Sequence, residues 1–441
     1  MSRVETRNPD RDAPGRVIKV DALARVEGEG ALYVRVRDDL IEDVKFRIFE
    51  PPRFFEALLR GRPYTDAPDI TARICGICPI AYMLGASRAM EDALGVVLDA
   101  PLEDLRRLIY CGEWIESHVL HAAMLHAPDF LGMPDAFAFA KANPDAVKAA
   151  LRLKKLGNTI LEAVGGRAVH PVNLAVGGFY RAPKKHELQA LLPEIEFGIE
   201  ASATLAKAFA GFDFPDFDYD YTCVSMRSDK AYAIEEGRLV SNRGLDIPVA
   251  AFPDHFFEEH VAHSNALHGR MRDGSAYLVG PIARYNNNAG QLSPAARDLA
   301  REIGLGATVT NPFKSILVRM VETFHACEES LRIVAGYEEP ERARMPIEPR
   351  AGKGSGVTEA PRGICWHSYE LDDEGRILSA TIVPPTSQNQ PQIEADLAGV
   401  IARNLDLDDE ALKWRCEQTI RNYDPCISCA THFLDLTVDR V

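Results

Sequence analysis

Two short stretches near opposite ends of the chain carry the same pair of thiols. The first is Arg-Ile-Cys-Gly-Ile-Cys-Pro at residues 73–79, and the second is Asp-Pro-Cys-Ile-Ser-Cys-Ala-Thr-His at residues 424–432. In each stretch the two cysteines are three positions apart, so both sulfurs can point at one ion. Four thiolates form a soft, electron-rich ligand set that suits zinc, an iron–sulfur cluster, or nickel with iron. If the pairs meet, the rest of the chain is the scaffold for that meeting.

On spacing alone, a structural zinc site is the leading interpretation of two distant C-x-x-C pairs. The flanking residues argue against it, because zinc knuckles lie on short polar hairpins whose halves are close in sequence. Here the first pair opens an apolar, helix-like run at residues 80–86, and the second pair lies some 350 residues further on. A zinc-clamped scaffold without catalytic function therefore stays open as an alternative.

Length, composition and charge limit the class of protein. The chain has 441 residues, of which 46% are hydrophobic and 26% charged, as is ordinary for a globular protein. The net charge of −15 argues against nucleic acid or an anionic membrane as a partner, because both require a basic face. No apolar run approaches the roughly 18–20 residues that span a bilayer. The N-terminal residues also lack the apolar stretch of a signal peptide, so we expect a cytoplasmic protein without a membrane span.

The remaining cysteines do not form a further set. Nine cysteines, an odd number, in a chain of this length do not indicate a secreted disulfide scaffold. We interpret the isolated ones as reduced core thiols: Cys111, Cys223, Cys327, Cys365 and Cys416. No spare cysteine set is therefore left for an iron–sulfur cluster on this chain.

Together, the two thiol motifs resemble those of the large, catalytic subunits of nickel–iron hydrogenases, and the resemblance extends over nearly the whole chain. It is strongest to the soluble, cytoplasmic, pyridine-nucleotide-linked branch, because Tyr82 stands where membrane-bound relatives usually carry His. The resemblance implies Cys75 and Cys426 as terminal nickel thiolates. It implies Cys78 and Cys429 as thiolates that bridge nickel to an iron carrying one carbon monoxide and two cyanides. The implied reaction is reversible heterolytic cleavage of dihydrogen to protons and electrons.

Two carboxylates and a histidine gain roles from the same resemblance. From pattern alone, Glu27 and Glu56 would be solvated surface groups. The Arg-Val-Glu-Gly motif around Glu27 resembles the family segment whose Glu is the first proton relay beside the metals. Glu56 resembles the residue that holds magnesium or a similar divalent ion together with a C-terminal histidine, here His432. Carboxylate oxygen suits such a hard cation.

The segment Glu-Ala-Pro-Arg-Gly at residues 359–363 resembles the family motif that holds a guanidinium over the open coordination site. Arg362 would supply positive potential there, from a turn made rigid by Pro361. Without the motif, a salt-bridged surface arginine would be preferred. In the family arrangement Asp424 lies close to this arginine and orients it. The resemblance leaves two candidates for the base that takes the proton from dihydrogen, the Cys426 thiolate and Arg362.

Residues 383–389 resemble the strand and turn that cradle the diatomic ligands of the iron. Many family members carry a hydroxyl residue where Pro385 stands. Thr386 is then the alternative donor of a hydrogen bond to a cyanide.

The hydrophobic pattern indicates which elements position these residues. Residues 17–49 alternate apolar and polar side chains around a turn at Asp38 and Asp39, which predicts a hairpin or small β-meander. Helices are predicted at 53–60, 101–126, 144–164, 186–210, 311–337 and 408–421.

We therefore expect a multidomain protein, mainly α with α+β parts, in which a central long-helix bundle is flanked by a small N-terminal β-sheet and an α+β insertion. The expected segments of this interwoven unit are a β-rich segment at 16–70, the first half of the bundle at 71–212, an α+β insertion at 213–310 and the second half of the bundle at 311–441. The first half carries the N-terminal cysteine pair. The second half carries a β segment at 350–390 and the C-terminal cysteine pair.

The resemblance also implies partners. Electrons must leave through an iron–sulfur small subunit, and the absence of a G-x-G-x-x-G motif places nucleotide reduction on a separate flavin-bearing diaphorase subunit. A maturation protease is a further expected partner, because family precursors often lose a C-terminal tail after nickel insertion.

The electron acceptor is expected to be NADP or NAD, with polysulfide (sulfur) or a deazaflavin as alternatives. A metal-free relative of respiratory complexes is disfavoured, because such relatives typically lack the four cysteines. Metal analysis separates the remaining classes, since nickel with iron indicates the enzyme and zinc alone indicates the scaffold.

Overall fold

Helices dominate the structure, a computed structural model that describes residues 16–37 and 40–431, and several small antiparallel sheets lie among them. The helices are α1 Phe55–Leu59, α2 Ala67–Thr71, α3 Pro79–Leu94, α4 Ala100–Val119, α5 Ala127–Phe130, α6 Ala136–Ala142, α7 Pro144–Gly165, α8 Lys185–Gln189, α9 Leu192–Ala210, α10 Phe252–His255, α11 Pro281–Asn288, α12 Pro294–Glu302, α13 Ser315–Gly336, α14 Pro385–Ala402 and α15 Asp409–Arg421. The strands are β1 Arg16–Val20, β2 Gly30–Arg37, β3 Leu40–Ile48, β4 Leu174–Ala175, β5 Gly178–Phe179, β6 Val224–Arg227, β7 Arg238–Ser241, β8 Asp246–Ile247, β9 Phe256–Glu259, β10 His268–Met271, β11 Gly352–Ala360, β12 Gly363–Leu371 and β13 Ile377–Val383.

This arrangement confirms the predicted fold class, while the segment boundaries stay a prediction. The long helices α4, α7, α9 and α13 pack on one another and form the central bundle. Their apolar faces are buried because each carries hydrophobic residues at helical spacing. None of the helices in the described ranges is long and apolar enough to cross a membrane.

The N-terminal sheet has the predicted alternation. Strands β1, β2 and β3 form an antiparallel meander in that order. On β2, Leu32 and Val34 are fully buried, whereas Arg35 between Val34 and Val36 is exposed. The predicted turn residues Asp38 and Asp39 lie outside the described ranges. One face of the sheet is buried in the hydrophobic core. The loop of residues 21–29 connects β1 to β2 at the end of this sheet.

The predicted helix at 101–126 is not continuous. The α-helix ends at Val119, and residues Leu120–His126 form a wider π-helical turn before α5. Pro128 in α5 explains the change, since it has no backbone N–H and its ring clashes with the carbonyl four residues earlier. The wider turn directs two histidines at the C-terminal segment: His121 Nε2 lies 2.7 Å from the Arg421 carbonyl oxygen, and His126 Nε2 lies 2.9 Å from Asn422 Oδ1.

Two further predictions of secondary structure were wrong, and proline accounts for both. The predicted helix at 186–210 is divided into α8 and α9, because Pro193 begins a new helix instead of continuing the old one. The segment predicted as a strand and turn at 383–389 is the start of α14. The strand β13 ends at Val383, and Pro385 takes the first helical position, where the missing N–H costs nothing.

Strand β11 fixes the position of helix α3 by unusually close contact. A Cβ atom added at Gly354 would lie 2.1 Å from the Ala89 carbonyl oxygen, and one at Gly356 would lie 2.6 Å from the Gly85 carbonyl oxygen. Only glycine allows the two backbones to approach this closely. The helix that follows the first cysteine pair is thereby packed against the sheet formed by β11 and β12.

We expect Gly356→Ala to lower the free energy of unfolding by about 1–3 kcal/mol, because the new methyl group meets backbone atoms of α3 that cannot rotate away. Thermal unfolding of the purified protein measures the effect. Gly336→Ala is the matched control, since an added Cβ there has no heavy atom within 4 Å. Equal melting temperatures for the two variants would contradict this account of how α3 is positioned.

Candidate metal centre

The four cysteines of the two motifs lie together in the structure. Cys75 Sγ is 3.4 Å from Cys426 Sγ, and Cys78 Sγ is 3.8 Å from Cys429 Sγ, although each pair is separated by 351 residues of sequence. All four sulfurs lie within 4.8 Å of one another. Their residues are at most 3% exposed. The tertiary fold therefore forms one enclosed set of four sulfur ligands.

Local structure orients the first pair. A short 3₁₀ turn, Ala72–Ile74, ends at Cys75, and Cys78 is the residue that precedes helix α3. The backbone N–H groups of Ile77 and Cys78 each lie 3.3 Å from Cys75 Sγ, the geometry of a helix N-terminus around an anion. Pro79 in the first turn has no N–H to satisfy, so the helix can begin directly after the pair.

The second pair follows a tight turn after α15. Asp424 has a left-handed backbone with φ of 51°, which is uncommon for a residue other than glycine. The turn leads to Cys426, whose backbone N–H donates to Thr386 Oγ1 at 3.0 Å. Cys429 then lies in the 3₁₀ helix Ser428–Thr431. Thr386 is thus in direct contact with the C-terminal pair, with its hydroxyl hydrogen left to donate elsewhere.

The chemistry of this ligand set fits a soft transition metal. Hydrogen bonds from Cys426 and Cys429 lower the pKa of Cys75 well below its ordinary value, whereas burial raises the pKa of both donors well above it. Four thiolates cannot all be ionised in so enclosed a space unless a cation balances them. Nickel and iron are such cations, and sulfur is a ligand they accept. The residues present therefore fit the group that the motifs imply.

Arg362 and Asp424 form a buried pair beside the thiols. Arg362 Nε donates to the Asp424 carbonyl oxygen at 2.6 Å, and Nη2 lies 3.2 and 3.1 Å from the two carboxylate oxygens. Burial by itself would lower the pKa of Arg362, but the charges of Asp424 and the cysteines raise it well above its ordinary value. The guanidinium is therefore a fixed cation. Its Nη1 atom is buried with no hydrogen-bond partner in the described residues.

Glu27 contacts the sulfur of Cys426. Glu27 Oε2 lies 3.2 Å from Cys426 Sγ and accepts a hydrogen bond from the Ser428 N–H at 3.0 Å. The backbones also pair, since the Ile427 N–H donates to the Glu27 carbonyl oxygen at 3.0 Å. Glu27 is only half-buried. Its carboxylate thus links the enclosed thiols to a less buried edge.

The other predicted site residues are placed as follows. Pro361 precedes Arg362, and its carbonyl oxygen accepts a hydrogen bond from Arg284 Nη2 at 3.1 Å. Pro385 begins α14, the helix that carries Thr386. His432 lies outside the described residues.

Glu56 shares its surroundings with a second carboxylate that sequence reasoning missed. Glu56 Oε1 accepts a hydrogen bond from the Ile382 N–H at 2.7 Å, and burial raises the pKa of Glu56 to about 7. Burial also raises the pKa of Glu258 to about 8, and the charge of Glu56 adds to that shift. Glu258 Oε1 accepts a hydrogen bond from Ser387 Oγ at 2.6 Å. No local pattern marks Glu258, because its role arises from contact with α14, far along the chain.

Asp129 is another buried carboxylate near the centre that the sequence did not reveal. Its carboxylate binds Arg25 Nη2 at 2.5 Å and both Arg421 Nε and Nη2, at 2.7 and 2.8 Å. Arg25 is two residues before Glu27, and Arg421 is five residues before Cys426. The buried Asp129 therefore connects the two segments that bring Glu27 to Cys426. We describe it as a positioning residue.

Four buried sulfurs and a fixed cation on a mainly helical scaffold define a class of protein, a metalloenzyme with a soft transition-metal centre. The model of one family, described as nickel-dependent hydrogenase, matches residues 53–155 and 278–432. Sulfhydrogenase 1 subunit alpha of Pyrococcus furiosus is 33% identical to the chain, over 95% of this chain and 98% of the relative. The chain belongs to the nickel-dependent hydrogenase family, as the two thiol motifs predicted, and is a catalytic large subunit of that class.

Further comparisons agree with this assignment. NAD-reducing hydrogenase HoxS subunit beta of Cupriavidus necator is 28% identical, over 95% of both chains. Among solved structures, an NAD+-reducing nickel–iron hydrogenase in its H2-reduced state superposes with a TM-score of 0.85 at 26% identity, over 95% of this chain and 99% of the other. A nickel–iron–selenium hydrogenase of Dm. baculatum, at 22% identity and a TM-score of 0.79, shares the fold.

We expect Asp129→Asn to lower the free energy of unfolding by about 3–5 kcal/mol at neutral pH, because two buried arginines lose their counter-charge. Burial alone would raise the pKa of Asp129, but His126 and Arg421 hold it well below its ordinary value. Its stabilisation is therefore present above the unfolded-state pKa of about 4 and is lost as pH falls below it. Chemical denaturation across that pH range measures both effects.

Asp69→Asn is the control for Asp129→Asn. Asp69 pairs with Arg73 in an exposed salt bridge, with side chains 61% and 41% accessible, so its loss should change stability little. A difference between wild type and Asp129→Asn that does not shrink as pH falls would argue against the buried ion-pair explanation.

Proposed function

We propose that this hydrogenase subunit passes the electrons of dihydrogen through a partner iron–sulfur subunit to a pyridine nucleotide, NADP or NAD. The observation that carries the proposal is the match to the NAD+-reducing enzyme over nearly the whole length of both chains, with a TM-score of 0.85. The similarity to the HoxS subunit of Cupriavidus necator supports it independently at the level of sequence.

The need for a partner follows from the cysteines. Four of the nine surround the candidate centre, and the other five are buried singly in the described part of the chain. Burial raises the pKa of Cys111, Cys327 and Cys416 above the ordinary value of a thiol, so all three stay protonated, as expected of core thiols. Iron–sulfur clusters and flavin therefore belong to partner subunits in this proposal.

Cys75, Cys78, Cys426 and Cys429 would hold the nickel–iron centre, with carbon monoxide and cyanide on the iron. When bound, this centre supplies the polarisation that makes dihydrogen, a very weak acid, open to heterolytic cleavage. Thr386 and Pro385 lie at the start of α14, against the backbone of Cys426. In this proposal the Thr386 hydroxyl would donate a hydrogen bond to a cyanide, and Pro361 would hold the arginine turn.

Arg362 contributes a permanent positive charge at the centre. Because its pKa is raised and Asp424 fixes its orientation, the guanidinium stabilises negative charge that develops beside the thiolates. Because the raised pKa keeps Arg362 protonated, the Cys426 sulfur is favoured over Arg362 as the base that takes the proton. Asp424 orients the arginine through its carbonyl and carboxylate oxygens.

Glu27 then accepts the proton from the Cys426 sulfur. The 3.2 Å separation allows direct transfer, and the Ser428 N–H holds the same carboxylate oxygen in place. Because Glu27 is half-buried, it can release the proton toward the less buried edge of the site. The carboxylate is thus the first relay on the path outward.

A hard divalent cation, magnesium or similar, would bind at Glu56 together with His432. The proposal is supported by the raised pKa of both Glu56 and Glu258, because a bound cation would favour the ionised form of two buried carboxylates. Nine residues follow His432 in the sequence, and their removal by a maturation protease is part of the same proposal.

A second candidate acceptor is sulfur or polysulfide. The 33% identity to a subunit named sulfhydrogenase favours it, since that exceeds the 28% identity to the NAD-reducing relative. Reduction of a deazaflavin is a third outcome that the acceptor assay below distinguishes.

We expect Glu27→Gln to slow hydrogen-dependent dye reduction by about 100-fold or more, because the amide cannot carry the proton. Nickel and iron contents should stay at wild-type levels, since the amide oxygen can still accept the Ser428 N–H. Glu29→Gln, an exposed neighbour two residues on, is the control and should be as active as wild type. Normal turnover in the Glu27 variant would remove it from the proton path.

The purified complex with its native partners tests the acceptor. Under hydrogen it should reduce NADP or NAD faster than polysulfide or a deazaflavin. Cys426→Ala should abolish all hydrogen-dependent activity, yet leave dye reduction by the reduced nucleotide intact, because that reaction belongs to the partner. Polysulfide reduction without nucleotide reduction would overturn the proposed acceptor and leave the hydrogenase assignment in place.

A further inference from the structure

A second group of potential metal ligands lies apart from the four cysteines and contains none of them. His263, His268 and Glu394 place their ligand atoms within 4.8 Å of one another. His263 lies in the loop between β9 and β10, His268 is the first residue of β10, and Glu394 lies on α14. Imidazole nitrogen and carboxylate oxygen are ligands of borderline ions such as zinc, and do not match the soft set formed by the cysteines.

His268 is a buried histidine whose ring nitrogens have no hydrogen-bond partner in the described residues. Buried polar groups are nearly always paired, because an unpaired one loses its hydration without compensation. Burial also lowers the pKa of His268 to about 3, with His263 and Arg270 adding to the shift. The ring is therefore neutral, which is the form that binds metals.

The other two members are held in place around it. Glu394 Oε1 accepts a hydrogen bond from the Phe46 N–H at 3.0 Å and lies 2.7 Å from His263 Nε2. The His263 and His268 rings are nearly perpendicular, at 88°, with centroids 5.5 Å apart. Since β3, the β9–β10 hairpin and α14 each contribute a contact, the arrangement is fixed by tertiary structure.

We propose that His263, His268 and Glu394 bind one divalent transition-metal ion, with zinc as the expected occupant. Two imidazoles and one carboxylate form a three-residue zinc ligand set that leaves a fourth position open. The side chains of His263 and Glu394 are 20% and 18% exposed, so a water molecule can reach that position. Ligands bound to one zinc at about 2.0–2.2 Å lie roughly 3–3.5 Å apart. The three ligand atoms lie within 4.8 Å of one another, so the side chains would rotate to reach that spacing when the ion binds.

The ion would act as a clamp on α14. It would join the β9–β10 hairpin to the helix whose first turn places Thr386 against the Cys426 N–H. Its role is therefore positioning: it fixes the helix on which part of the hydrogenase centre rests. Removing it should loosen α14 without removing a ligand of the nickel–iron centre.

Elemental analysis of the holoenzyme complex tests this site. After incubation with zinc sulfate and gel filtration, the wild type should carry about one zinc per copy of this chain at the site. His268→Gln and Glu394→Gln should each lower that zinc by about tenfold or more, with nickel unchanged. Retained nickel and a cooperative melting transition show that the variants are folded. If either variant keeps its zinc, the proposal is wrong.

His260→Gln is the matched control, because His260 is an exposed imidazole on the same loop. The His260→Gln variant should keep the zinc. If this variant loses the zinc, the ion is bound adventitiously at the surface and the proposal is wrong.

A second measurement needs no variant. X-ray absorption at the zinc edge of the wild type should show nitrogen and oxygen ligands with imidazole scattering. Sulfur ligands would place the zinc at the thiols instead, and absence of bound zinc would leave only a hydrogen-bonded His263–Glu394 pair. Either result would overturn the proposal.

Discussion

The structure depends on the burial of four sulfur ligands in one enclosed space. Thiolates repel one another, and burial opposes their ionisation, so the four sulfurs can be ionised together only when a cation balances their charge. The protein meets this constraint by bringing the N-terminus of α3 against the turn after α15, across 351 residues of sequence. The close glycine contacts between β11 and α3 fix the position of the first cysteine pair. The hydrogen bond from the Cys426 N–H to Thr386 fixes the position of the second pair.

Two groups of buried charges near the thiols are paired, and each pairing also connects two segments of the chain. Arg362 and Asp424 join the end of β11 to the turn that carries the second cysteine pair. Asp129 joins Arg25 to Arg421, and so fixes the loop of Glu27 beside the same turn. These pairs contribute little net stability compared with apolar packing, but each is costly to break, and together they define one geometry.

The ligand groups of the chain are sorted by chemical hardness. The cysteines form an all-sulfur set for soft metals, and the group around His268 offers nitrogen and oxygen. Glu56 and Glu258 offer carboxylate oxygens, which suit the hard cation proposed for that region. Helix α14 lies along all three, through Thr386, Ser387 and Glu394. A single helix thus relates sites that would prefer different ions.

The sequence by itself determined the family, the fold class and much of the helical framework, and it predicted the candidate site residues. The paired cysteines, the Glu27 and Arg362 motifs and the alternation in β2 are local patterns. Such patterns can be recognised in the sequence without knowledge of the fold. Only the tertiary structure decided that α14 begins at Pro385 and that the helix after Val119 widens. It also decided that Glu258, Asp129 and His268 are buried or nearly buried beside the candidate sites. These features arise from contacts between residues distant in sequence, and no periodicity or spacing encodes such contacts.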